Sequence, residues 1–196
     1  MRIILASGST IRHKIMTDAG LDFEVISKPV DETAIKETML AESARLRDIA
    51  DALAEAKSLR VSRIKEGLVI GADQIMVMDN QLFDKPKTID EARRRLKIMR
   101  GKIHYLMGAV VISENGTPVW RHMAKTKLTM REFSDSFLED YLEKEGELVT
   151  KSVGAYRFEG LGAQLFSHVE GDFFSILGLP LLPVMDYLRT RGAIIS

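Results

Sequence analysis

Small residues, carboxylates and basic side chains gather in four short segments of this chain: LASGSTIR at Leu5 to Arg12, VDE at Val30 to Glu32, GADQ at Gly71 to Gln74 and DKP at Asp84 to Pro86. These are the residue types that a metal-dependent phosphate chemistry requires. Hydroxyls and backbone N–H groups suit phosphate oxygens, carboxylates suit a divalent cation, and lysines suit a departing anion. The segments also fall at expected strand ends or loops, where an open α/β sheet collects its ligand.

Taken one at a time, each segment has an ordinary alternative. A strand ending in Ser7, Gly8 and Ser9 and entering a helix presents unpaired N–H groups to an anion, and Arg12 could add a bidentate clamp. The same residues also fit a plain helix cap with a surface arginine. Asp31 and Glu32 follow Pro29 in an expected loop and fit either a metal site or a solvated turn. Asp73 carries more weight, because a carboxylate inside the apolar run LVIGADQIMVM must find a partner. Gly71, two residues earlier, permits close backbone approach. Lys57 in AEAKSLR and Lys85 before Pro86 could neutralise a leaving pyrophosphate, although most lysines are simply solvated.

Composition narrows the choice of partners. The 196 residues contain 28 Lys plus Arg against 28 Asp plus Glu, so no general electrostatic hold on nucleic acid or an anionic membrane is expected. Arg93, Arg94, Arg95 and Lys97 lie on one amphipathic helix beside Glu91 and lack interleaved aromatics, which argues against a nucleic-acid surface. There is no cysteine, which excludes disulfides and thiolate catalysis. His13, His104, His122 and His168 show no zinc-site spacing, and neither a P-loop nor a G-x-S-x-G segment occurs. The apolar run in MRIILASGS is too short for a signal segment or membrane span and reads as a first strand.

The elements that must position these residues alternate between strand and helix. A strand at Arg2 to Ala6 leads into a helix bearing Ile11, Ile15 and Ala19, which Gly20 ends. A strand is expected over Phe23 to Ile26 and the longest helix from about Ala41 to Ile64, on the stripe Leu46, Ile49, Leu53, Ala56 and Leu59. Leu68 to Met78 reads as a buried strand, and Thr88 with Glu91 as a capping box opening a helix through Met99. Tyr105 to Ile112 and Val119 to Met130 form an antiparallel hairpin with a longer turn through Glu114, Asn115, Gly116 and Thr117. Ser134 caps a helix through Glu143, and a last helix follows Pro180. No repeat or separating linker interrupts residues 1–196, so one compact domain, at most with a smaller lobe, is expected.

Together with GKIHYLMGAVV at Gly101 to Val111, KSVGAYRFEGLGAQLF at Lys151 to Phe166 and GLPL at Gly178 to Leu181, these segments resemble the Maf family of nucleotide pyrophosphatases in order and spacing. The resemblance covers nearly the whole chain. It implies an α/β fold, Maf/Ham1-like, with an elongated mixed central sheet flanked by helices and an active-site cleft between two lobes. It also implies a cytoplasmic, often dimeric hydrolase that cleaves a nucleoside triphosphate to monophosphate and pyrophosphate with Mg2+ or Mn2+. Carried over residue by residue, it makes Asp73 the catalytic acid-base group. Ser7, Arg12, Lys57 and Lys85 become phosphate-binding, and Glu32 and Asp73 metal-binding.

Ile11, Gln74 and Glu159 bear on the base. Members resembling the thymidine and uridine triphosphate branch carry Arg, Thr and Gln at these places, whereas Gln74 and Glu159 resemble the branch that hydrolyses 7-methyl-GTP. Physics favours the same direction, because a carboxylate accepts from the paired N1–H and N2–H donors of guanine. That branch often has an aromatic where Ile11 stands, and Thr10 and His13 replace a common proline and arginine. The expectation is therefore a pyrophosphatase preferring 7-methyl-GTP or another modified nucleotide. The alternatives are a dTTP/UTP pyrophosphatase and, in another class, a nucleotide-binding regulator of cell division with little turnover.

Overall fold

The computed structural model describes residues 1–195 and contains an α/β arrangement with a seven-stranded mixed sheet. In chain order the elements are β1 (Ile3–Leu5), α1 (Thr10–Asp18), β2 (Glu24–Val25), α2 (Glu32–Ala41), α3 (Leu46–Ser62), β3 (Leu68–Met78), β4 (Gln81–Phe83), α4 (Ile89–Met99), β5 (Ile103–Glu114), β6 (Thr117–Met130), α5 (Asp135–Glu145), β7 (Phe166–Glu170), α6 (Phe173–Ile176) and α7 (Leu181–Thr190). Short 3-10 turns cover Gly146–Lys151 and Leu161–Leu165. The strand order is β2-β1-β3-β5-β6-β7, with β4 paired to β3.

The chain folds as two compact units. The first comprises Met1–Gln74, Gly108–Ala124 and Phe173–Ser196, and the second Ile75–Met107 and Lys125–Asp172. Within the first, β1 pairs in parallel with β2 on one side and with β3 on the other, Leu5 lying opposite both Val25 and Ile70. The chain therefore leaves β1 toward one edge and returns on its other flank. That reversal makes a topological switch point, the kind of place where open α/β sheets bind ligands, beyond Leu5 at the carboxyl end of β1 and beside the continuing β3.

Both faces of this part of the sheet are covered. Ile3, Leu5, Leu68, Ile70 and Ala72 pack with Ile15 and Met16 of α1 and Leu181, Val184 and Leu188 of α7. Ile4, Ala6 and Val69 point the other way and meet Val61 of α3. Side chains on a strand alternate between faces, so the odd residues of β3 continue toward α3 and the even ones toward α1 and α7. Asp73 therefore belongs to the α3 side and Gln74 to the opposite one.

Local chemistry sets the element ends. Ser9, Asp31, Thr88 and Ser134 each accept a hydrogen bond from the backbone N–H three residues on, capping α1, α2, α4 and α5. Glu91 closes its capping box on Lys87 N rather than on Thr88 N. Gly20 takes φ +72° after α1, with Gly20 N bonded to Thr17 O and Leu21 N to Met16 O, a Schellman ending.

Several sequence expectations need correction. The β5–β6 turn is not long: both strands run on to a two-residue Asn115-Gly116 loop with φ of 49° and 75°, the left-handed pair whose twist suits a tight hairpin. Asp73 lies in mid-strand, not at a strand end, because β3 continues through Met76–Met78 to pair with β4. The expected long helix is α3, which starts at Leu46 rather than near Ala41, and an unforeseen helix, α2, precedes it, so that Glu32 opens a helix rather than sitting in a loop.

In the second unit α4 and α5 bury Leu96, Met99, Leu138, Tyr141 and Leu142. The basic run on α4 is spent on internal pairs: Arg93 with Asp90 and Glu139, and Lys97 with Asp135. Buried Arg95 donates to the carbonyls of Asp84 and Val153 and pairs with Glu91, fixing one end of the loop that carries Lys85. Among the described residues no helix is long and apolar enough to cross a membrane.

His104, fully buried, shares a 2.8 Å hydrogen bond with Tyr156 Oη, and burial holds its pKa down at about 4. Its unfolded-state value lies near 6.5, so between those values the unfolded chain binds more protons. Stability is thus full above about pH 6.5 and should decline by about 3 kcal/mol as the pH falls to about 4. Urea unfolding across this window should show the slope, and His104→Phe should flatten it.

Candidate active site

The strand alternation that sends Asp73 toward α3 brings it to Lys57. The Lys57 ammonium lies 2.5 Å from Asp73 Oδ1 and 2.8 Å from Glu32 Oε1, joining a strand, the long helix and the first turn of α2 through one charge. Asp73 is only 8% exposed, so its charge requires this partner. The approach depends on Gly71, where a Cβ would overlap the carbonyl oxygen of Ala54 and lie 2.6 Å from Ser58 N. Ala54 and Ser58 flank Lys57 on α3, so the missing side chain lets that helix press onto β3 at the level of the acid.

On the other side of the strand, Arg12 and Ser7 form a second cluster. Arg12 Nη1 donates to Ser7 Oγ at 3.3 Å and to the carbonyl of Ala72 at 2.9 Å, while Nε donates to the carbonyl of Gly178 at 2.8 Å. Ser7 Oγ also accepts from Ser9 N. Burial pulls the Arg12 guanidinium below its ordinary value, and the charges of Asp73 and Glu32 oppose that pull. An arginine remains protonated nonetheless. The N–H groups of Thr10 and Ile11 open α1 ahead of any intrahelical acceptor, so they add donors to the same cradle.

Gln74 donates through Nε2 to the carbonyls of Ser175, at 2.7 Å, and Ile176, at 3.3 Å. Together with Arg12 it ties the segment from α6 to Gly178 against β3. That latch was not foreseen from sequence; the only hint was GLPL, whose Gly178 adopts φ +93°. Ile11 is half-buried against the core shared with α1 and α7. Lys85 and Glu159 belong to the second unit, Lys85 on the exposed loop after β4 and Glu159 with Oε1 3.3 Å from Arg157 Nε. Arg157 also pairs with Glu145, which is only 6% exposed. Of the expected residues, the first unit thus gathers Glu32, Lys57 and Asp73 in one cluster and Ser7 and Arg12 in another. Residue 72, whose carbonyl holds Arg12, joins the two through the backbone.

A Maf-like protein model matches residues 2–191. The chain belongs to the Maf family. Relatives named nucleoside triphosphate pyrophosphatase extend over nearly the full length. The protein of Caulobacter vibrioides is 49% identical over 98% of this chain and 96% of its own. That of Paramagnetospirillum magneticum is 51% identical over 98% and 100%, and that of Rhodospirillum rubrum 47% identical over 99% and 96%. The Maf relatives' names specify no base.

Whether these residues fit a divalent cation can be judged from their donors. Glu32 and Asp73 lie near enough to share one ammonium, and both offer hard oxygen ligands. Among the described residues no group of three or more His, Cys, Asp or Glu gathers, so Glu32 and Asp73 are the two carboxylates that these residues offer together here. Magnesium characteristically uses one or two carboxylates and takes its other ligands from water and substrate phosphates. The pair therefore fits a metal that completes its coordination on a nucleotide.

Gly71→Ala should separate α3 from β3 and draw Lys57 away from Asp73. We expect a stability loss of about 1–3 kcal/mol in denaturant titration, together with reduced turnover even under conditions where the protein remains folded.

Proposed function

We propose that this Maf protein hydrolyses nucleoside triphosphates to the monophosphate and pyrophosphate, using a divalent cation, Mg2+ or Mn2+, held by Glu32 and Asp73. The observation that carries this reading is the convergence of both carboxylates on Lys57, one strand position beyond the carbonyl that fixes Arg12. The names of the full-length relatives support the same activity.

In this reading Ser7, Arg12 and the start of α1 bind phosphate oxygens, and Lys85 adds positive charge for the leaving group. Arg12 bonds to its protein partners among the described residues through Nε and Nη1, so Nη2 would be the group that turns to a phosphate. Asp73 has two carboxylate oxygens, so one would serve the cation while the other accepts the proton of an attacking water. The water oxygen bonds to the α-phosphorus, the bond to the bridging oxygen breaks, and its electron pair leaves with pyrophosphate. A bound divalent cation would supply charge neutralisation on the phosphate oxygens.

The finer reading is a preference for 7-methyl-GTP or a related modified nucleotide. Glu159 supports it: Arg157 engages one of its oxygens, which orients a carboxylate able to accept from guanine N–H donors. Gln74, fastened to the α6 carbonyls, would act on base choice by ordering that segment.

Pyrophosphate release should be assayed on 7-methyl-GTP, GTP, UTP, dTTP, CTP and ATP, with Asp73→Asn alongside. We expect 7-methyl-GTP to be cleaved fastest and the variant to lose roughly 10²–10⁴-fold in kcat. Preference for UTP or dTTP would replace the finer reading alone. No Asp73-dependent release from any nucleotide would favour a nucleotide-binding regulator.

A further inference from the structure

Lys57 occupies the position from which it neutralises both acids at once. Its side chain is 15% exposed, its ammonium lies 2.5 Å from Asp73 and 2.8 Å from Glu32, and three elements fix the arrangement. The charge of Arg12, in the neighbouring cluster, also interacts with both carboxylates. A bare divalent ion entering this cluster would meet no net negative charge and would lie beside an ammonium already bonded to both of its ligands. In a partly buried site such like-charge proximity weighs far more than in water. A nucleotide triphosphate changes the balance, because its phosphate oxygens are alternative acceptors for the same ammonium.

We propose that Lys57 keeps Glu32 and Asp73 closed to a free divalent cation and releases them only when nucleotide phosphates take over its ammonium, so that metal and nucleotide enter together. This inference rests on the reading of Glu32 and Asp73 as metal ligands. It makes Lys57 the residue that couples metal binding to substrate binding. The enzyme would then hold no resident metal between turnovers.

The test is Mn2+ binding, followed by electron paramagnetic resonance of the free ion, for the wild-type chain, Lys57→Met and Lys57→Arg. Each is measured alone and with the α,β-methylene analogue of GTP, and thermal melts verify that each variant is folded. Without nucleotide, wild type and Lys57→Arg should bind Mn2+ weakly, and Lys57→Met at least about tenfold more tightly, since it removes the competing charge while keeping the stem. With the analogue, wild type should tighten to a similar extent. If Lys57→Met binds Mn2+ no better than wild type while both bind it with the analogue, the gating role is overturned and the metal site stands. If neither protein takes up Mn2+ under either condition, the metal-site reading fails and the inference with it.

Discussion

The ion pair between Lys57 and Asp73 is the constraint on which the site depends. A largely buried pair of this kind contributes little net stability, because the loss of hydration offsets the attraction. Breaking it leaves an uncompensated charge, however, so the surrounding fold must hold both partners in register. The means are visible in the backbone. Gly71 brings α3 into contact with β3, strand alternation turns Asp73 toward that helix, and the Asp31 cap starts α2 where Glu32 can reach the same ammonium.

The same strand serves the opposite cluster. Ala72 lends its carbonyl to Arg12, and Gln74 fastens α6, so consecutive residues of β3 connect the acids, the cluster of Arg12 and Ser7, and the α6 segment. β1 with parallel neighbours on both sides is what brings Ser7 beside this stretch. A one-residue slip of β3 would exchange the two faces and dismantle both clusters. Its length, with one end paired to β1 and the other to β4, opposes such a slip.

Much of this was legible in the sequence where the signal is local. Thr88 and Ser134 announced their helices because a cap is a contact between near neighbours, and the apolar run around Asp73 announced a buried strand. α2 escaped notice because ETAIKETMLA buries no residue and so carries no apolar stripe. β4 and β7 are short and owe their strand form to pairing with β3 and β6. The partners of Lys57 were not readable from AEAKSLR, since the contact spans 16 residues to Asp73 and is set by helix-on-strand packing. Arg12 was read as a phosphate clamp, yet much of its hydrogen bonding fixes the Ala72 and Gly178 carbonyls, a positioning task no local pattern reveals.

In the proposed reaction Glu32 and Asp73 form one reacting centre, although they come from a helix start and a strand interior. A double-mutant cycle on kcat/KM for nucleoside triphosphate cleavage, with Glu32→Gln, Asp73→Asn and the pair together, tests it most directly. If the residues act as a unit, the double variant should be scarcely slower than the worse single variant. Losses that simply multiply would show two independent groups and rule out a single reacting centre.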